Sequence, residues 1–472
     1  MKVRNPRTGA FDHEIAPLDA AGIASLAADL RTRQREWAET PPERRGEWLR
    51  ALGAAIAEHA RPILAALVAD TGRAGISRIE LEGAVRSFDR WAAAAPALIG
   101  ARHGARKSSA TPGIETETRL VPYPLVGVIS PWNFPLTLAL IDAVPALAAG
   151  CAAIVKPSEV TPRFIGPLMD AVRTVPAVPL AVIEGDGVTG AALVERVDFV
   201  AFTGSVATGR MVGEAAARAF IPASLELGGK DPMIILDSAD PDRAAEIALR
   251  ASVVNTGQAC QSIERVYVSR AIAAPFLAAL VAKARAARLN HPDILSGEIG
   301  PFIFARQAEI VQRQIDDAVA KGARLLTGGT VETLDGGLYL RPTILADVTP
   351  DMAVMSEETF GPVVPVGVFD TVDEAVALAN GGQFGLSAAV LGDAGQAAAV
   401  AARLDAGAVS INDGALTSMV WDCEKSSFGL SGLGPSRMGE SGLMRFFRRQ
   451  ALLHQTAVAL PLSAYSEEAL HG

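Results

Sequence analysis

The chain has little cysteine: Cys151, Cys260 and Cys423 are the only three among 472 residues. An odd, sparse set builds no disulfide framework, so a small disulfide scaffold is excluded and a reducing compartment, the cytoplasm, is expected. Histidine is equally thin. His13, His59, His103, His291, His454 and His471 are scattered outside any recognisable motif, which denies a cysteine hydrolase its partner, and no metal is expected. Positive charge is not concentrated either. The formal net charge is −9, and the run Arg445-Phe446-Phe447-Arg448-Arg449 reads as a solvated helix face, so a nucleic-acid surface is excluded. The start, from Met1 to Gly9, has no apolar core of a secretory signal. The apolar stretch from Pro135 to Val155 is interrupted by Asp142, Pro145 and Gly150 and reads as a buried helix running into a buried strand, not a membrane span.

What is present is ordinary for a large globular enzyme. Half of the residues are hydrophobic and a fifth are charged, and the length suits about three domains. The first hundred residues have helical spacing, with Leu49, Leu52, Ile56, Ile63 and Leu67 on one apolar stripe. From Arg102 to Glu117 the chain turns polar, and Thr116 to Val121 alternate as a strand or hairpin does. From Val126 onward short apolar runs alternate with helical stretches: strands at Val126–Ser130, Ala152–Val155, Leu180–Ile183 and Phe199–Phe202, helices near 136–149, 162–174 and 189–196. A second series runs from Met233–Leu236 past Val409–Asn412. This alternation implies mostly parallel sheets covered on both faces. There is no internal repeat, low-complexity tract or long linker.

Several short motifs sit at strand ends, each with a chemical and a structural reading. Gly185-Asp186-Gly187-Val188-Thr189-Gly190 has the spacing of a phosphate-binding turn, but no acidic residue ends the following strand, so it is taken as a tight turn. Phe202-Thr203-Gly204-Ser205 precedes a helix; its free N–H groups and Ser205 suit a pyrophosphate, or Ser205 is a plain N-cap. Lys156-Pro157-Ser158-Glu159 offers groups for ribose hydroxyls, or is a solvated loop. Pro131-Trp132-Asn133-Phe134-Pro135 presents an amide suited to an oxyanion, or an Asx-turn. Cys260, after Gly257-Gln258-Ala259, is a nucleophile or a buried structural thiol. Glu226, before Leu227-Gly228-Gly229-Lys230, is a general base or a partnered carboxylate.

Taken in order with Glu357-Glu358-Thr359-Phe360-Gly361-Pro362, these motifs closely resemble the NAD(P)-dependent aldehyde dehydrogenase superfamily, from about Asn5 to the neighbourhood of Arg445–Gln450. The resemblance implies an α/β fold with a Rossmann-type cofactor domain (1–101 and 124–230), an α/β catalytic domain (231–425) and a β-hairpin oligomerisation element (102–123 and 440–472). It implies Cys260 as nucleophile, Asn133 with the Cys260 N–H as oxyanion hole, and Glu226 as the base for deacylation. Cofactor ligands would be Trp132, Lys156, Ser158, Glu159, Gly204, Ser205, Leu227, Glu358 and Phe360. Leu138, Ile141, Val254, Ala259 and Phe428 would line the substrate route. NAD is the expected cofactor, with NADP possible, and a homodimer or homotetramer the expected assembly; neither nucleic acid nor membrane is an expected partner.

Two departures stand out. The family often carries a lysine nine residues after the oxyanion asparagine; here that position is Asp142. The usual Pro-Phe-Gly-Gly run reads Ser427-Phe428-Gly429-Leu430, behind a long loop from Ala415 to Lys425 whose Trp421 or Lys425 can turn inward. The expected reaction oxidises an aldehyde, bulky and apolar or aromatic, through a Cys260 thioester hydrolysed by Glu226-activated water. The rivals are a CoA-acylating relative, which would normally lack the base, and a non-catalytic binding protein, which would be expected to lose Cys260 or Asn133.

Overall fold

The computed structural model describes residues 1–468; His471 and the last residues of the 440–472 segment lie outside them. Two large sheets carry the molecule. The first has six strands, in the order Gly432–Leu433, Ala223–Glu226, Phe199–Thr203, Leu125–Ile129, Ala152–Lys156 and Leu180–Val182. All of its pairings are parallel except that of Gly432–Leu433 at the edge. The second has seven strands and brings Asp231–Ile235, Ile263–Ser269 and Val363–Phe369 to its centre; one edge strand, Arg324–Thr327, is antiparallel. The central strands Leu125–Ile129, Ala152–Lys156 and Asp231–Ile235 are buried at every residue, as expected of strands covered on both faces.

A third, three-stranded antiparallel sheet joins Arg106–Ser108, Ile114–Pro122 and Phe447–Gln455. This corrects the reading of the basic run. Arg445 is buried, Phe446 is fully buried, and Phe447 starts a strand registered against Pro122. The aromatic pair, not the arginines, decides the local structure: Phe446 packs edge-on to Phe199, with ring centroids 5.3 Å apart. The apolar stripe from Leu49 to Leu67 is fully buried, but it spans two helices, Pro42–Glu58 and Ala60–Thr71, bent by 68° at His59.

The helix Pro135–Ala149 matters most for the site. Pro135 opens it and Gly150 closes it in the left-handed region at φ 104°. Its start has no capping side chain of its own; the buried Glu80 accepts from the Leu136 N–H instead. Burial pushes the Glu80 carboxyl up to about 8, against the pull of the Leu136 and Thr137 N–H groups. Among the described residues no single helix is long and apolar enough to cross a membrane.

Candidate active site

The helix Pro241–Val253 runs into a loop whose backbone is held in an uncommon conformation. Asn255, Thr256 and Gly257 all have positive φ, at 56°, 59° and 69°. For the two non-glycines this costs of order 1–3 kcal/mol each, so the surroundings must enforce it. They do. The Thr256 hydroxyl accepts from Arg73 (2.9 Å) and from the Gly300 N–H (3.0 Å), and the Gln258 amide accepts from the Ile303 N–H (2.9 Å) and donates to the Asn255 and Pro301 carbonyls. Gly257 has no room for a side chain, since a Cβ there would lie 2.2 Å from the Gly361 oxygen. This braced loop delivers Cys260. Gly229 lets it in close: a Cβ on Gly229 would stand 2.7 Å from the Cys260 carbonyl.

Asn133 reaches the same place from the other sheet. It lies in the turn between the strand Leu125–Ile129 and the helix Pro135–Ala149. Its Nδ2 donates to the Gln258 carbonyl at 3.0 Å, and its own carbonyl accepts from Asn255 Nδ2 at 3.0 Å. One N–H of the Asn133 amide is thereby fixed, and the second has no partner among the described residues.

Glu226 ends the strand Ala223–Glu226. Its Oε2 accepts from the Ser427 hydroxyl at 3.1 Å, and its Oε1 lies 4.0 Å from Arg437 Nε. The antiparallel pairing of Gly432 with Glu226 is what carries this C-terminal segment to the carboxylate.

The half-buried Cys260 carries a thiol that burial pushes up to about 12; the Glu358 carboxylate adds to the rise, while Lys425 and Arg437 oppose it. Burial lowers Lys425, and Cys260, Glu226 and Asp231 push it back. Lys425 does turn inward: it is half-buried, and its amine donates to the Thr417 carbonyl at 3.0 Å. Trp421 lies elsewhere, under the Arg90 guanidinium, 4.7 Å from the ring centroid.

Most of the candidate cofactor residues lie at or just beyond the carboxyl ends of first-sheet strands, and Glu358 and Phe360 come from the segment before Val363–Phe369 of the second sheet. Glu358 sits over Gly228 and Gly229: its Oε1 accepts from the Gly229 N–H at 3.1 Å, and a Cβ on Gly228 would stand 2.6 Å from the carboxylate. Burial raises Glu358 to about 8, Glu264 adds to the rise, and the Gly229 N–H and Lys230 resist it. Glu264 accepts from the Thr359 and Phe360 N–H groups (2.7 and 2.8 Å) and pairs with buried Lys230 at 2.8 Å, which fixes the segment bearing Glu358. Phe360 meets Trp132 edge-on at 5.4 Å. Lys156 ends its strand, donates to the Asp186 carbonyl at 3.1 Å and stands 3.6 Å from Glu159. The Ser158 hydroxyl accepts from the Val160 N–H, within its own loop. Ser205 caps the helix Val206–Ala219 through the Thr208 N–H, the Gly204 N–H donates to the Glu226 carbonyl, and Leu227 packs where a Gly209 side chain would be. A bare-backbone cradle under a buried carboxylate, a buried lysine beside a half-exposed glutamate and a helix start behind Ser205 fit a dinucleotide. The other glycine-rich turn is closed: the Asp186 carboxylate caps Val188 and Thr189.

Of the expected substrate wall, Leu138 is buried and Ile141 and Ala259 are half-buried, whereas Val254 and Phe428 are each 46 % exposed. What the sequence did not name is a buried cluster around Asp142. Its carboxylate takes Arg437 at 2.9 Å and Arg445 on its other oxygen; burial alone pushes Asp142 up, but the two guanidiniums outweigh it and hold it below the usual range. The signal was the acid itself, inside an otherwise apolar helix, which demands a cation. Among the described residues no group of three or more His, Cys, Asp or Glu is placed to hold a metal.

The model of the aldehyde dehydrogenase family matches residues 1–452. A putative NADP(+) succinate-semialdehyde dehydrogenase of Mycobacterium tuberculosis is 35% identical over 442 residues, 92% of this chain and 84% of that protein. The crystallised putative aldehyde dehydrogenase PutA from Anabaena variabilis superposes with a TM-score of 0.95 at 50% identity, covering 98% of this chain and 99% of its own. Betaine aldehyde dehydrogenase from Staphylococcus aureus, solved in complex with NAD+, superposes with a TM-score of 0.91 at 29% identity, over 99% of this chain and 94% of its own.

Proposed function

The chain belongs to the aldehyde dehydrogenase family and is an NAD(P)-dependent oxidoreductase, and from that premise we propose the residues that carry its reaction. The observation that bears most weight is the braced Cys260 loop, tied through the Gln258 carbonyl to an Asn133 amide with a second, unpaired N–H, with Lys425 and Arg437 as charged neighbours common to Cys260 and Glu226. The Cys260 thiolate attacks the aldehyde carbon, and the free Asn133 N–H with the Cys260 N–H holds the oxyanion. Lys425 and Arg437 favour the thiolate form. Bound NAD(P) supplies a two-electron acceptor for the hydrogen leaving that carbon. Cys260 is left as a thioester. Glu226 then takes a proton from water, the hydroxide adds to the acyl carbon, and the carboxylic acid departs as the thiolate is restored. The presence of Glu226 argues against transfer of the acyl group to CoA. The cofactor would be held by Glu358, Lys156, Glu159 and the Ser205 helix start.

The substrate reading rests on Leu138, Ile141 and Ala259, an apolar wall that favours a bulky apolar or aromatic aldehyde at about 25 cal/mol per Å² buried. Lys425 favours a second reading, an aldehyde bearing a carboxylate, because its amine has one protein acceptor and two further N–H groups. A panel of aromatic, medium-chain and semialdehyde-acid substrates decides between them. On the second reading Lys425→Met raises KM for the acid but not for aromatic aldehydes, while any loss of thiolate lowers kcat for all substrates alike; on the first, KM changes for no substrate class selectively.

We also propose the division into a cofactor domain (1–101 and 124–230), a catalytic domain (231–425) and an oligomerisation element built on the three-stranded sheet (102–123 and 440–472). A working thiol fits the reducing cytoplasm.

A further inference from the structure

The Asp142 cluster has more cation than it needs. Arg445 satisfies one oxygen of the carboxylate and also donates to Ser224 at 2.9 Å. Arg437 uses Nη2 on the other oxygen and on Thr203 Oγ1 (2.6 Å). Its Nε is buried with no hydrogen-bond partner among the described residues, and it faces Glu226 Oε1 at 4.0 Å. A buried, unsatisfied guanidinium N–H is costly, and here a carboxylate oxygen stands 4.0 Å from it. The Glu226 Oε2 is tied to Ser427, on the same C-terminal segment. A rotation of the Glu226 carboxyl that closes about 1 Å converts the 4.0 Å approach into a charge-assisted hydrogen bond.

We propose that Arg437, braced by Asp142 and Thr203, is a positioning residue that docks the Glu226 carboxylate during deacylation. This rests on the reading of Glu226 as the base. It also gives the acid at position 142 a purpose: Asp142 holds Arg437 rigid, and Arg445 keeps Asp142 paired if Arg437 is lost. The charged groups facing Glu226 are Arg437, Lys425 and, further off, Arg445, with Asp142 behind the arginines. Removing Arg437 thus removes a cation within reach of the carboxylate and leaves Lys425 in place.

The test compares wild type, Arg437→Gln, Arg437→Lys and Glu226→Gln, reading the pre-steady-state NADH burst separately from steady turnover. The burst reports acylation at Cys260, and the later turnover reports Glu226. In Arg437→Gln steady turnover falls about tenfold, because the carboxylate that activates water is no longer held. The burst keeps its amplitude, its rate slowed at most by the loss of the pull of Arg437 on the thiolate, and Arg437→Lys restores most of the steady turnover. A burst amplitude that falls along with turnover, or equal loss in Arg437→Lys and Arg437→Gln, overturns the positioning role. If Glu226→Gln turns over like wild type, the base assignment itself fails, and any effect of Arg437 must act elsewhere. Retained melting temperature in Arg437→Gln, through the Asp142–Arg445 pair, separates the kinetic effect from unfolding.

Discussion

At the scale of single residues, the proposed roles divide by the step each one serves. Cys260→Ala should abolish NADH formation and leave cofactor binding intact, measured by fluorescence titration; residual turnover would remove the thioester route. Glu226→Gln should release a burst of about one NADH per subunit and then turn over slowly, because acylation does not need the base. Absence of the burst would place Glu226 earlier, as the group that deprotonates a thiol raised to about 12. Glu159 should favour NAD over NADP, since its carboxylate accepts from a ribose hydroxyl and repels a phosphate; Lys156, 3.6 Å away, tempers the repulsion. Comparing kcat/KM for the two cofactors, and again in Glu159→Gln, checks this, and an unchanged ratio would argue that Glu159 does not touch the ribose. Cys260, Asn133 and Glu226 could be singled out as candidates because each sits in a short motif. Lys425 was singled out only as one of two loop residues able to turn inward, and Arg437 was not, because its place depends on a strand pairing, Gly432 with Glu226, that joins distant parts of the chain.

At the scale of elements, periodicity located four strands of the first sheet to within one residue and the helices between them to within three, because burial on both faces gives unbroken apolar runs; it did not find Ala223–Glu226 or the edge strand Gly432–Leu433. It missed the bend at His59, since one stripe reads the same whether carried by one helix or two. It also misassigned the basic run, where a strand needs a partner that only the fold supplies. The element most sensitive to change is the loop from Val254 to Gly257. Its brace predicts that Gly257→Ala loses activity and melts at lower temperature, because the new methyl meets the Gly361 oxygen at 2.2 Å in a backbone region L-residues avoid. Cys260→Ala, in contrast, should melt close to wild type. Equal melting temperatures for the two variants would mean that the loop relaxes freely and its backbone is not held.

At the scale of the whole molecule, the three-stranded sheet and the chain after it leave Leu453, Val458, Leu460 and Leu462 at 69–92 % exposure, more apolar surface than a free segment usually presents. Leu460→Glu with Leu462→Glu should therefore lower the mass seen by analytical ultracentrifugation; an unchanged mass would move the interface elsewhere. The pH dependence of stability has a sign set by buried acids. Burial raises Asp70 and Asp231 to about 7 and Glu80 and Glu358 to about 8. In the unfolded chain such groups titrate near 4. Between these values the native state binds more protons than the unfolded state, so stability falls as pH rises from about 4 to about 8 and levels off above. Asp142 acts in the opposite sense, but its folded value lies below the usual carboxylate range, so its contribution is lost only at more acid pH. The melting temperature should thus decline from pH 5 to pH 8. Glu80→Gln should flatten part of that slope, because a neutral amide oxygen still accepts from the Leu136 N–H and no longer has to ionise. A melting temperature that climbs across this window, with Glu80→Gln parallel to wild type, would show that these acids are ionised in the fold and that their N–H and cationic neighbours outweigh burial.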